Sequence, residues 1–166
     1  MRPLDESAPV TLRTNLRPGD VGAVVHLHGV LYAREYGFDE TFEAYVAGPL
    51  ADFVLSPSDR QRLWLAERDD RLVGCVAVVA ADEATAQLRW YLVGPAARGC
   101  GLGRRLLDEA VAFAWRSGFE VIVLWTVSAL TAAAHLYRKV GFVKVEERPG
   151  RRWGVEVIEE RYELRK

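Results

Sequence analysis

Cysteine is scarce: Cys75 and Cys100 are the only two among 166 residues. Their spacing suits neither a metal site nor a disulfide framework, so no metal is expected and a reducing, cytoplasmic setting is. Charge of one sign is also lacking. With 22 Lys and Arg against 23 Asp and Glu the formal net charge is -1, which leaves no electrostatic footprint for nucleic acid. No apolar run approaches the ~20 residues of a membrane span. The leading MRPLDESAPV has no apolar signal core, which argues against secretion. Repeats and low-complexity tracts are absent. The expectation is one soluble domain with neither nucleic acid nor membrane as a partner.

What the chain does have is enough apolar material for a full core, with 50% hydrophobic and 27% charged residues. Its organising stretch is Leu88 to Gly103, LRWYLVGPAARGCGLG. The run Leu88 to Val93 is rich in residues that fit a buried strand, and Gly94-Pro95 ends it. After Arg98-Gly99-Cys100-Gly101-Leu102-Gly103 comes a segment, Arg104 to Trp115. There Leu106, Leu107, Ala110, Val111 and Ala114 recur at helical spacing. Strand, glycine loop and helix in that order build an anion cradle, because backbone N–H groups and the positive helix end converge where no Cβ intervenes.

Around this centre the pattern predicts a strand over Val10 to Leu16 and a helix over Val21 to Tyr36, N-capped by Asp20 and stopped by Gly37. A second helix opens at Asp39-Glu40-Thr41, with Gly48-Pro49 expected to interrupt or kink it. Arg62 to Glu67 and Leu72 to Ala81 read as strands joined by Arg68-Asp69-Asp70-Arg71. Beyond the loop helix, Val121 to Val127 reads as a buried strand, followed by a helix ended by Gly141. Phe142 to Glu146 and Ile158 to Leu164 read as final strands, with Arg151-Arg152-Trp153-Gly154 in the loop between. The order is β-α-α-β-β-β-α-β-α-β-β, an α/β chain with a mixed sheet.

Two common phosphate loops do not match. A Walker loop needs Gly-Lys-Ser/Thr, but Gly103 precedes Arg104-Arg105. A dinucleotide fingerprint needs G-x-G-x-x-G and an acid about 20 positions on, whereas Val121 to Val127 ends in Ser128. The remaining pattern, Arg/Gln-x-x-Gly-x-Gly/Ala after a strand, resembles the coenzyme A loop of the GCN5-related N-acetyltransferases, the GNAT family. Farther on, Ala132-Ala133-Ala134-His135-Leu136-Tyr137-Arg138-Lys139-Val140-Gly141-Phe142 is similar to that family's next helix. The stretch from Gly29 to Glu43, GVLYAREYGFDETFE, resembles the acetyltransferase half of bacterial proteins that fuse a MarR-type DNA-binding domain to a GNAT domain. This chain would be a free-standing relative of that half.

The resemblance implies a GNAT fold, acetyl-CoA as co-substrate and a primary amine of a small molecule, amino acid or peptide as acceptor. It implies that Leu92 and Val93 pair with the pantetheine arm, and that the backbone N–H groups of Arg98, Gly99, Cys100, Gly101, Leu102 and Gly103 hold the pyrophosphate, with Arg104 just beyond. Tyr137 would protonate the leaving sulfur. Many relatives carry an asparagine where this chain has Leu130, and Ser128 and Thr131 are the nearby polar substitutes. The first two helices would wall the acceptor site, which points to Tyr32, Tyr36 and Glu43 as substrate-binding residues. A homodimer is a further family expectation.

The general base is not evident. The family's strand glutamate is replaced by Gln87, Leu88, Arg89 and Trp90. Glu35, Asp39, Glu40, Glu43, Glu83 and a water relay remain as candidates. Glu35 is preferred for its aromatic neighbours, and His26 and His28 read as ordinary helix residues. Arg34, Arg89, Arg151 and Arg152 offer partners for an acceptor carboxylate but read more readily as surface charges. The acidic run Glu35 to Glu43 would suit a polyamine, and a protein N-terminus or lysine also fits. An acyl-CoA-binding sensor without turnover is the alternative function.

Overall fold

The structure, a computed structural model describing residues 7–166, has the expected element order. Residues 1–6, part of the segment read as carrying no leader, lie outside the described residues. The elements are β1 (Thr11–Arg13), α1 (Asp20–Tyr36), α2 (Glu40–Leu55), β2 (Arg62–Arg68), β3 (Arg71–Ala80), β4 (Thr85–Val93), α3 (Leu102–Arg116), β5 (Val121–Val127), α4 (Thr131–Val140), β6 (Val143–Arg152) and β7 (Val155–Arg165). They form one open seven-stranded sheet in the order β1-β2-β3-β4-β5-β7-β6. The β4–β5 pair is parallel and every other pair is antiparallel.

Each face of the sheet buries its own cluster. One cluster joins Trp64, Val76, Leu106, Phe113, Tyr137 and Tyr162 under α3 and α4. The other joins Val24, Phe42, Leu50, Cys75, Trp90 and Trp153 under α1 and α2. Two hairpins turn on residue pairs with positive φ, Asp69-Asp70 (50° and 57°) and Trp153-Gly154 (52° and 80°). Left-handed backbone at both central residues matches the right-handed twist of the flanking strands. No helix among the described residues is long and apolar enough to cross a membrane.

Several boundaries differ from the sequence reading. The first strand shrinks to Thr11–Arg13. Asp20 is the first residue of α1 rather than its cap; Gly19 occupies the cap in a left-handed conformation. The Asp20 carboxylate instead accepts from Arg13 (2.7 Å) and from the Arg17 amide (2.6 Å). α2 runs without a break past Pro49, anchored by buried Phe42, Val46 and Leu50. Its start is as expected, with Asp39 accepting from the Thr41 amide at 3.0 Å. β6 continues through Pro149-Gly150 to Arg152, so Arg151 and Arg152 are strand residues. It lies at the sheet's edge, where a proline costs no ladder bond on its open side.

The feature that shapes the site is a bulge in β4. Cys75 opposes Leu92 while Ala77 opposes Arg89, so Trp90 and Tyr91 together face Val76. Trp90 adopts φ 52°, and the Cys75 thiol donates to its carbonyl at 3.0 Å. An extra residue on one strand flips the side-chain alternation beyond it. Ala86 and Leu88 pack with the α3 cluster, whereas Trp90 and Leu92 pack with the α1–α2 cluster. β5 pairs with β4 only from Thr85 to Leu88. From Arg89 to Val93 the edge of β4 toward β5 therefore carries no strand.

Candidate active site

The splay between β4 and β5 opens a cleft of ≈ 500 Å³. Its walls are Tyr91, Leu92 and Val93, the glycine loop with the first turn of α3, the segment Ala129 to Ala133 with Leu136, and the end of α1 from Leu31 to Tyr36. A short 3₁₀ turn, Pro95–Ala97, leads from β4 into the loop. Gly99 (φ 76°) and Gly101 (φ 80°) take left-handed conformations that L side chains rarely adopt. The amide of Arg105 is the first in α3 to find a carbonyl, that of Gly101 at 3.0 Å. Among the described residues, the amides from Gly99 to Arg104 donate to no protein acceptor. A row of free N–H groups at a helix N-terminus is an anion site.

Gly103 has a different task. A Cβ there would lie 2.6 Å from Tyr91 Oη and 3.1 Å from Leu136 Cδ1, so its absence lets α3 start against β4 and α4.

Most of the expected cofactor residues line this cleft: Leu92, Val93, Arg98, Gly99, Gly101, Leu102, Gly103 and Arg104. Three details depart from expectation. The Arg98 amide donates to Pro95 O at 3.3 Å, so the free row begins at Gly99. Cys100 is not among the residues lining the cleft, its thiol donating to Ala97 O at 3.1 Å, although its backbone amide, the group expected to bind, is one of the free ones. Ser128 is exposed outside the cleft, its amide held by Ile158 O at 2.9 Å; Thr131 lines the cleft instead.

On the α1–α2 face a smaller pocket of ≈ 100 Å³ adjoins the cleft. Tyr32, Tyr91 and Leu130 line both spaces, and Tyr137 lines the pocket beside them. Aromatic rings dominate its wall. Tyr32 and Phe42 lie 4.5 Å apart between centroids, Phe38 and Trp153 5.0 Å, and Tyr45 and Trp153 5.1 Å. The β6–β7 turn carries Trp153 into this cluster and is tied down by the Asp39 amide, which donates to Trp153 O at 2.9 Å.

Tyr137 is 5% exposed, with its ring 5.6 Å from that of Tyr91. Burial, and then the neighbouring tyrosines, hold its phenol well above the ordinary value of 10, so the hydroxyl stays protonated. Its hydroxyl makes no hydrogen bond to the described residues.

His28, read from sequence as an ordinary helix residue, is buried and lines the pocket. Its Nδ1 lies 2.8 Å from Val24 O, which leaves the lone pair on Nε2. Burial lowers its pKa to about 4, so the ring is neutral at pH 7.

The three acceptor-site expectations fare unequally. Tyr32 lines the pocket, Tyr36 lines only the cleft, and Glu43 lines neither, its side chain lying over Gly29. Glu35 does not reach the pocket either. Its carboxylate accepts two hydrogen bonds from Arg98, at 2.8 and 3.0 Å, across the cleft. Glu35 thus lines the cleft, engaged by Arg98, and not the smaller pocket. The pocket's carboxylate is Glu159 on β7, which sequence reasoning missed. It sits opposite Val127 in the β5–β7 register, facing α1 and α2. Among the described residues, no group of three or more His, Cys, Asp or Glu is placed to hold a metal ion.

Residues 25–142 match the sequence model of the family described as Acetyltransferase (GNAT) family. The chain is 30% identical over 118 residues to an uncharacterized N-acetyltransferase of Schizosaccharomyces pombe, covering 69% of this chain and 72% of that protein. It spans 26% to 59% of the length of other curated relatives. A GNAT-family acetyltransferase from Staphylococcus aureus superposes with a TM-score of 0.76 at 15% identity, over 95% of this chain and 99% of that one. A putative acetyltransferase from Salmonella typhimurium, solved with its cofactor acetyl-CoA, superposes with a TM-score of 0.70 at 23% identity, over 94% and 93% of the two chains.

Proposed function

Because the chain belongs to the acetyltransferase (GNAT) family, we propose that it is an N-acetyltransferase that takes acetyl-CoA in the cleft and a primary amine in the aromatic pocket. The observation that carries this reading is the meeting of the two spaces at Tyr32, Tyr91 and Leu130, with Tyr137 at the junction. The residues present fit coenzyme A. Free amides from Gly99 to Arg104 suit a diphosphate, and the unpaired edge of β4 from Tyr91 to Val93 suits an amide-bearing arm. When bound, acetyl-CoA supplies an activated acetyl group.

The chain's own residues supply the rest. Tyr137 keeps its proton through the neutral range and is the proton source for the departing sulfur. An amine that enters as an ammonium must lose a proton before it attacks. Water in the pocket takes that proton, with Glu159, whose oxygens accept from Arg152, as the carboxylate lining its path. The aromatic wall excludes bulk water from the junction and orients the amine.

Thiol release from acetyl-CoA, measured across amines, amino acids, peptides and polyamines, tests this. Release that requires an acceptor and falls roughly 10²- to 10⁴-fold in Tyr137→Phe is the expected result. No release from any acceptor, with acetyl-CoA still raising the melting temperature, would convert the protein to a binding module.

A further inference from the structure

The acceptor pocket contains a charge without a partner. Arg89 on β4 lines it and is half-buried. Among the described residues its side chain has no ion pair and no hydrogen bond; its guanidinium lies 5.4 Å from the centroid of the Trp90 ring. Plain strand alternation would send Arg89 and Trp90 to opposite faces. The left-handed turn of the backbone at Trp90 brings both side chains to the same pocket.

The other charges of the pocket do not compensate Arg89. Glu159 is its carboxylate, and Arg152 on β6 already holds both Glu159 oxygens, at 3.1 and 3.3 Å. Arg152 is further fixed over the rings of Trp153 (5.0 Å) and Tyr45 (5.8 Å). His28 is neutral. With Glu159 matched by Arg152, the pocket carries the net positive charge of Arg89. A plain alkylamine, arriving as a cation, would meet repulsion and leave the guanidinium unsatisfied. A ligand with a carboxylate near its amine would give Arg89 a two-pronged partner and neutralise the pocket. The remaining walls are aromatic and suit an apolar substituent.

We propose that the acceptor is a hydrophobic amino acid, or an amino-acid-like zwitterion, whose carboxylate is bound by Arg89 while its amine reaches the junction at Tyr137. This rests on the acetyltransferase reading for turnover, but the carboxylate site itself is a matter of binding. Arg89 touches the substrate's carboxylate and so sets specificity without moving protons.

The experiment compares leucine, methionine and phenylalanine with their primary amides and decarboxylated amines, by thiol release with wild-type protein, Arg89→Gln and Arg89→Lys. The expected wild-type preference for the free carboxylate is roughly ten- to hundred-fold in kcat/KM. Arg89→Gln should shrink it to roughly two-fold or less by depressing turnover of the amino acids alone, and Arg89→Lys should restore part of it. Amides or decarboxylated amines that match the amino acids in wild type would overturn the proposal, with no variant needed. So would a preference that survives in Arg89→Gln.

A binding arm separates this proposal from the enzymatic reading. N-acetylleucine and N-acetylleucinamide are titrated calorimetrically into wild type and Arg89→Gln in the presence of coenzyme A. Binding that needs the carboxylate and is lost in Arg89→Gln supports the site even if nothing is acetylated. Equal binding of the two, or binding of neither, overturns it.

Discussion

The guanidinium of Arg98, in the glycine loop, is clamped by the carboxylate of Glu35, at the end of α1, through hydrogen bonds of 2.8 and 3.0 Å. The hydrogen bonds that the Glu35 carboxylate accepts, and then its charge, push the arginine's pKa up. This pair ties the end of α1 to the glycine loop across the cleft. Glu35→Gln should therefore alter the KM or Kd for acetyl-CoA by roughly two- to five-fold, since a partly exposed ion pair is worth about 1 kcal/mol or less. The KM for the amine and the pH profile of kcat should hardly move. A large loss of kcat that is recovered at high pH would instead restore Glu35 as the base.

Gly103 and Gly101 should respond differently to alanine. At Gly103 the added Cβ meets Tyr91 Oη at 2.6 Å, so α3 or the ring must shift, at a cost of roughly 1–3 kcal/mol. At Gly101 nothing lies within 4 Å, and the cost is the left-handed backbone alone, roughly 1–2 kcal/mol. Urea titrations give the stabilities, and coenzyme A titrations show whether the cradle survives. Gly103→Ala should disturb cofactor binding more than its stability loss implies, because it moves the helix end that holds the anion.

His28 makes stability depend on pH in a definite window. Its folded pKa of about 4 lies below the ordinary value of 6.5, so the unfolded chain binds the proton more readily. Stability from this residue is full above pH 6.5 and falls as pH drops toward 4, by roughly 3 kcal/mol in total. Asp20 and Glu67, whose pKa values are lowered mainly by hydrogen bonds from Arg13, lose their contribution only as pH falls below the ordinary carboxylate range. Melting temperatures of wild type and His28→Gln from pH 7.5 to 4.5 check this. The variant's curve should be flatter, and parallel curves would contradict the assignment.

The two cysteines should differ in reactivity. Burial pushes the Cys75 thiol up to about 12, and its proton is committed to Trp90 O. Cys100 is exposed on the glycine loop. A disulfide reagent at pH 8 should modify Cys100 in the folded protein and reach Cys75 only on unfolding. Saturating coenzyme A should slow the reaction at Cys100, because the ligand would cover the loop's amides.

Much of the fold was legible because its boundaries are set by local chemistry. Gly37 and Gly141 stop α1 and α4 in left-handed conformations, and Asp39 caps α2 with its side chain. The cofactor loop was legible for the same reason: strand, glycines and helix are contiguous. The acceptor site was not. Glu159 is one of several acids in VEVIEERYELR, and only its pairing opposite Val127 places it in the pocket. The bulge that turns Arg89 and Trp90 inward leaves no mark in a run of strand-forming residues. The clamp between Glu35 and Arg98 spans too much sequence for any spacing rule. The strand expected to end at Glu146 runs on through Pro149-Gly150 to Arg152, because β6 lies at the edge, where a proline spoils no interior ladder.

The single backbone bond from the Asp39 amide to Trp153 O closes the rim between the α1–α2 corner and the β6–β7 turn. Its proton trades with deuterated solvent only when those two walls part, so one amide becomes a clock for the breathing of the aromatic pocket. An acceptor that must part the walls to enter cannot arrive faster than that clock ticks, and one that fills the pocket should slow it.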